Sequence, residues 1–132
     1  MKYWDPLRKK EVAATPEEKV RQWFIGVLTR DCKVPQQLMM SETGFNFGRK
    51  RYRADILVYD RNASPLAVVE CKSPEVRLDA EVARQALRYD SVLNVRFVFL
   101  TNGLSTFVYG REGGSFKALD KLPDYDEMLY LQ

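Results

Sequence analysis

The sequence predicts an α/β layer fold in which helices flank a central mixed sheet. Three observations carry that expectation. A helix start is written into Thr15-Pro16-Glu17-Glu18, residues 52–59 and 66–72 read as two strands around a turn, and a helical segment then leads into a further strand at 95–101. Helix, hairpin, helix and strand in that order form layers around one sheet. With 132 residues, 45% of them apolar, the chain suits one domain with one sizeable core.

The elements follow in order. Residues 1–14 carry the basic run Arg8-Lys9-Lys10 without clear periodicity and are expected to be an N-terminal arm; residues 15–132 form the domain. Thr15 can cap a helix, Pro16 fits the first helical position, and Glu18 stands where a capping-box partner belongs. Val20, Phe24, Val27 and Leu28 follow at helical spacing as the buried stripe, and the helix should end near Arg30, ahead of Pro35. Leu38-Met39-Met40 begins or leads into a strand; Gly44 and Gly48 mark turns, and Gly48-Arg49-Lys50-Arg51 reads as a basic loop.

The strands at 52–59 and 66–72 are joined by the turn-rich residues 60–65 as a hairpin. Pro74 stops the second strand, and Leu78, Val82, Leu87, Tyr89 and Leu93 support a long helix from about Glu75. Asn102-Gly103 is a strong hairpin turn between the strand at 95–101 and one at 106–109, and residues 123–132 suit a short helix. The order is α-β-β-β-α-β-β.

Composition excludes much chemistry. There is no histidine, so histidine triads, HExxH zinc sites and histidine-based nucleases are impossible. No P-loop and no GxGxxG occurs. A net charge of +3 is mild and says little alone about nucleic acid. No apolar stretch is long enough for a membrane span and no signal core opens the chain, so a cytoplasmic protein is expected, with Cys32 and Cys71 as reduced thiols.

One constellation carries chemistry. On strands, Asp55 shares a face with Leu57 and Tyr59, while Glu70 and Lys72 share a face and Cys71 points opposite. Glu70 ends an apolar run, and a buried carboxylate is costly unless paired or bound to a cation. A hairpin that aligns Asp55 with Glu70 gathers two carboxylates and an ammonium at one sheet edge. Such a set can hold a hard divalent cation through oxygen ligands, with Lys72 beside the bound water. The plainer readings are an Asp55–Arg53 pair and a cross-sheet ion pair of Glu70 with Lys72.

Asp55, fourteen intervening residues, and Glu70-Cys71-Lys72 on adjacent strands resemble the signature of the PD-(D/E)XK nuclease superfamily. Gln85-Ala86-Leu87-Arg88-Tyr89 resembles the QxxxY element of its RecB-like branch. Residues 15–22, Arg53-Ala54-Asp55-Ile56, residues 69–74 and Leu100-Thr101-Asn102-Gly103 resemble the N-terminal nuclease-type domain of type I restriction enzyme R subunits, over roughly residues 15–110. Ala54 replaces the proline usual before the first aspartate.

The resemblance implies a restriction-endonuclease-like core of α-β-β-β-α-β order and a Mg²⁺-dependent endonuclease acting on DNA, with Mn²⁺ able to substitute. Asp55, Glu70, Lys72 and Gln85 would be catalytic. Asp55 and Glu70 would hold the metal, joined by Glu17 from the first helix and by the Cys71 carbonyl. Glu18 competes with Glu17 for that place but already has a capping role. Tyr89 would lie near the DNA backbone, and Arg49, Lys50, Arg51 and Arg53 would touch phosphates unless they are a solvated loop. Other restriction or defence subunits are the implied partners. The alternatives are a silent DNA- or protein-binding module, or a structural piece of a restriction assembly. A chain of this length cannot also contain the motor domains of a restriction subunit.

Overall fold

The computed structural model describes residues 1–47, 49–88 and 93–130. Residues near the N-terminus, expected as an arm, form a hairpin: β1 (Lys2–Asp5) pairs antiparallel with β2 (Lys10–Ala13). Its turn is organised by the fully buried Asp5, whose carboxylate accepts the backbone N–H groups of Leu7 (2.8 Å) and Arg8 (3.2 Å) and binds the Arg8 guanidinium. Arg8 also donates to Glu18 at 2.8 Å. A charged cluster ties this hairpin down, which is why apolar periodicity does not reveal it.

Helix α1 (Pro16–Gly26) starts as expected, with Thr15 Oγ1 accepting the Glu18 N–H at 3.1 Å. The reciprocal half of a capping box is absent. Thr15 donates its N–H to Ala13 instead, because the Glu18 carboxylate is turned to Arg8, Arg21 and Gln22. Val20, Phe24, Val27 and Leu28 are all buried. A π-helical turn at Val27–Asp31 extends the helix, and Thr29 Oγ1 donates back toward the carbonyls of Ile25 and Gly26.

Six strands follow in sheet order: β3 (Met39–Phe47), β4 (Lys50–Tyr59), β5 (Pro65–Cys71), β6 (Phe97–Thr101), β7 (Thr106–Glu112) and β8 (Ser115–Ala118). β5 and β6 are parallel and every other neighbouring pair is antiparallel, giving the mixed sheet. A parallel pair needs a crossover. Residues 72–96 supply it and include α2 (Ala80–Ala86).

Four local expectations are corrected. Gly44 lies inside β3, and Lys50 and Arg51 already belong to β4, so the basic run begins in a turn at Arg49 and continues along a strand. Helix α2 starts at Ala80, later than the expected Glu75, because Asp79 caps it, accepting the Val82 N–H at 3.0 Å. The preceding loop is anchored by Asn102, whose Nδ2 donates to the Val76 carbonyl at 2.8 Å. The turn after β6 spans residues 102–105: Asn102 Oδ1 accepts from Leu104 and Ser105, and Gly103 takes φ +87°. Finally, Gly113 and Gly114, both at positive φ, turn β7 into β8, a strand absent from the sequence reading.

β5 from Leu66 onward and β6 throughout are buried, as strands covered on both faces must be. On one face Phe24 and Leu28 pack on Ile56, Val69 and Phe99. On the other, Ala86 of α2 joins Ala54, Leu57, Val68 and Leu100. Helix α3 (Tyr125–Tyr130) closes the first face, with Tyr125 Oη donating to the Tyr59 carbonyl at 2.8 Å. Among the described residues no helix is long and apolar enough to cross a membrane.

Candidate active site

The site grows from the point where β4 and β5 part. Their pairing runs from Tyr59↔Pro65 to Ile56↔Val69, beyond which β4 stays paired with β3 alone. Carried one step further, the same register sets Asp55 opposite Glu70. The Cys71 N–H faces the gap without a strand carbonyl, and a buried amide must be satisfied. Asp55 Oδ2 accepts it at 2.7 Å.

This demand explains a departure from simple alternation. Ala54 and Leu57 both pack on the α2 side, while Ile56 packs on the α1 side. Asp55 leaves the face of Leu57 and turns its carboxylate into the notch. There Oδ1 lies 3.4 Å from Arg21 Nη2 of α1. Glu70 and Lys72 share a side of β5, as expected, with Oε1 and Nζ 3.3 Å apart. The Lys72 N–H donates to the Thr101 carbonyl at 2.8 Å, fixing the strand end that carries the ammonium.

Burial pushes the Asp55 carboxyl up to about 6. The Cys71 N–H opposes this, the Glu70 carboxylate adds to it, Arg21 opposes it and Glu17 adds to it. Glu70 and Glu17 are therefore electrostatic neighbours of Asp55. Glu17 is half exposed, with Oε1 3.8 Å from Arg21 Nη2. Glu18 is buried and divided among Arg8, Arg21 and Gln22, a structural role other than the expected capping box.

Cys71 contributes backbone alone. Its thiol lies in the α1-side core, and burial holds it well above the usual thiol range, so it is no thiolate ligand. Gln85 is exposed and donates to Glu81 of its own helix at 3.3 Å, so its described contact is away from the sheet carboxylates. Tyr89 lies outside the described residues. Arg49, Lys50, Arg51 and Arg53 are exposed along the turn and the first part of β4, on the strand that carries Asp55.

Arg21 was missed by the sequence reading. Glu17, Arg21, Phe24 and Leu28 fall in one i, i+4, i+7, i+11 row, so a cation interrupts the buried stripe. That interruption was the available signal. Its guanidinium is almost fully buried among Glu17, Glu18 and Asp55. A cavity of about 650 Å³ opens beside it, lined in part by Arg8, Thr15, Glu17, Ser73 and Glu75.

The donor set suits a hard dication in chemistry: two electrostatically coupled carboxylates, one of them penalised by burial when ionised. Among the described residues no three His, Cys, Asp or Glu side chains are gathered as a complete metal set. Arg21 and Lys72 now supply positive charge to Asp55 and Glu70, respectively.

The family model for the type I restriction enzyme R protein N terminus matches residues 16–123. No curated protein matches the sequence. Among solved structures, the chain is similar to a fragment described as an HsdR subunit of a type I restriction enzyme from Vibrio vulnificus YJ016. The TM-score is 0.67 at 22% identity, over 86% of this chain and 24% of that one. It thus spans about a quarter of that fragment. It is also similar to a protein described as a nuclease of the DUF820 group from Anabaena variabilis ATCC 29413. There the TM-score is 0.53 at 16% identity, over 91% of this chain and 76% of that one. At these identities the likeness is one of fold.

Proposed function

The chain belongs to the type I restriction enzyme R protein N-terminus family, and from that premise we propose that it is a divalent-metal-dependent endonuclease domain hydrolysing DNA phosphodiester bonds within a restriction assembly. The observation that carries the reading is the notch itself. Two carboxylates from adjacent strands are electrostatically coupled, Lys72 stands 3.3 Å from one of them, and burial disfavours the charge on the other.

Asp55 and Glu70 would hold Mg²⁺, or Mn²⁺ in its place, with Glu17 near enough in charge to contribute. A bound dication would supply the Lewis acidity that polarises the scissile phosphate. Asp55 is held in place by the Cys71 N–H, so its oxygen is positioned before any ligand arrives. Lys72 orients the attacking water, assists its deprotonation and offsets charge that develops in the transition state. Arg21 counters the Asp55 charge in the absence of metal. The exposed Arg49, Lys50, Arg51 and Arg53 offer phosphate contacts on the strand leading to Asp55.

Calorimetric titration with Mn²⁺ tests the assignment. The native chain should bind, and Asp55→Asn and Glu70→Gln should each lose at least tenfold in affinity. Unchanged affinity in both variants would remove these residues from the site. A silent DNA- or protein-binding module is the second reading, favoured by the Arg21 and Lys72 pairings and by the incomplete carboxylate set among the described residues. DNA binding with no cleavage under Mg²⁺ or Mn²⁺ would select it.

A further inference from the structure

The β3–β4 hairpin outruns the rest of the sheet. β4 parts from β5 after Ile56↔Val69, yet β3 and β4 remain paired from Thr43↔Ala54 to Phe47↔Lys50. At about 3.4 Å per residue, this is a two-stranded ribbon reaching roughly 15 Å past Asp55. Residues 43–54 contain Arg49, Lys50, Arg51 and Arg53 and no carboxylate.

The cations occupy both sides of the ribbon. Ala54 packs toward α2, so Lys50 and Tyr52 share that side, and the Lys50 ammonium stands 5.3 Å from the centre of the Tyr52 ring. Arg51 and Arg53 share the other side with Asp55, at steps of about 7 Å along the strand. Arg51 lies across Gly44 so closely that a Cβ there would come within 2.5 Å of Nη2; the glycine leaves room for the guanidinium.

Resting on the reading that DNA is the substrate, we propose that this ribbon enters the major groove of duplex DNA, with Lys50 toward one sugar-phosphate wall and Arg51 and Arg53 toward the other. A ribbon laid along a single strand needs cations on one side only. Cations on both sides match a groove with phosphates on both walls. The major groove, about 12 Å wide, admits a two-stranded ribbon, whereas the minor groove, at about 6 Å, is too narrow. The strand against the Arg51–Arg53 side is then the one led to Asp55.

Fluorescence anisotropy without divalent metal, using a duplex and a single strand of equal length, tests this. The native chain is compared with Lys50→Ala, with Arg51→Ala/Arg53→Ala, and with a shortened hairpin in which Asn-Gly joins Gly44 to Arg53 in place of residues 45–52. The native chain should prefer the duplex by at least tenfold, and methyl green, a major-groove occupant, should displace it. Each lost phosphate contact should flatten the log–log salt dependence by about 0.9. The shortened hairpin should lose at least tenfold in duplex affinity while keeping its melting temperature and Mn²⁺ binding. Full duplex affinity in the shortened form, a preference for single strands, or displacement only by the minor-groove ligand netropsin would overturn the proposal. If the native chain cuts DNA but the shortened form binds duplex equally well, the groove assignment alone fails. If the native chain binds no DNA at all, the substrate reading fails with it.

Discussion

Asp55→Asn should stabilise the metal-free protein at neutral pH, although it disables the proposed site. Burial raises the Asp55 carboxyl from its ordinary 3.8 to about 6, so between these values the folded state holds a proton that the unfolded chain has released. Stability from this group is therefore present below pH 3.8, declines as pH rises toward 6, and stays lower above it. Each pH unit between the two values corresponds to about 1.4 kcal/mol, so the carboxylate costs roughly 3 kcal/mol at pH 7.5. Asparagine keeps an oxygen to accept the Cys71 N–H but gives up the 3.4 Å approach to Arg21, which retains Glu17 and Glu18. The net gain expected is about 1–3 kcal/mol at pH 7.5 and near zero at pH 4. Urea unfolding of both proteins in EDTA at the two pH values measures it. Saturating Mn²⁺ should then reverse the order by stabilising the native protein alone. A variant less stable than the native protein at both pH values would refute the reasoning and make Asp55 an ordinary structural ion-pair partner of Arg21.

Other consequences can be checked directly. Lys72→Ala should leave Mn²⁺ affinity intact or slightly higher, since an ammonium repels the dication, while plasmid cleavage falls by roughly two to four orders of magnitude; equal cleavage would remove Lys72 from the mechanism. Arg8→Ala leaves the buried Asp5 and Glu18 without its guanidinium and should cost about 3 kcal/mol in chemical denaturation, whereas a cost below about 1 kcal/mol would mean the N-terminal hairpin is held by other contacts. Tyr125→Phe deletes the bond to the Tyr59 carbonyl and should cost about 1–2 kcal/mol, read as a lower melting temperature.

Where each element owes its form to local signals, the sequence reads well. Thr15 and Pro16 start α1, the apolar residues at 20, 24, 27 and 28 turn inward, and the runs around Asp55 and Glu70 form adjacent strands. Elements fixed by tertiary polar contacts were not legible. Asp5 and Arg8 build the N-terminal hairpin through charge, and Asn102 holds the Val76 loop from outside the segment, so apolar positions beyond Glu75 suggested too long a helix. The site followed the same division. Asp55, Glu70 and Lys72 came from motif and adjacent-strand placement. The structure sets Lys72 3.3 Å from Glu70 and couples Glu70 electrostatically to Asp55, whose carboxylate departs from simple alternation. The direction of the Asp55 carboxylate depends on an unpaired Cys71 amide that appears only once the strands separate. Arg21 reads locally as a polar interruption of an amphipathic helix, and its partner Asp55 lies 34 residues away. Gln85, placed by resemblance, meets Glu81 on its own helix.

The central claim is that the notch at Asp55 and Glu70 hydrolyses DNA with a divalent cation. Conversion of supercoiled plasmid to open-circular and linear forms, in Mg²⁺ or Mn²⁺ and beside Glu70→Gln, tests it most directly. The account predicts cleavage by the native chain that EDTA abolishes and Glu70→Gln reduces by at least a hundredfold. Intact plasmid with the native chain in both metals, or equal cleavage by Glu70→Gln, would contradict it.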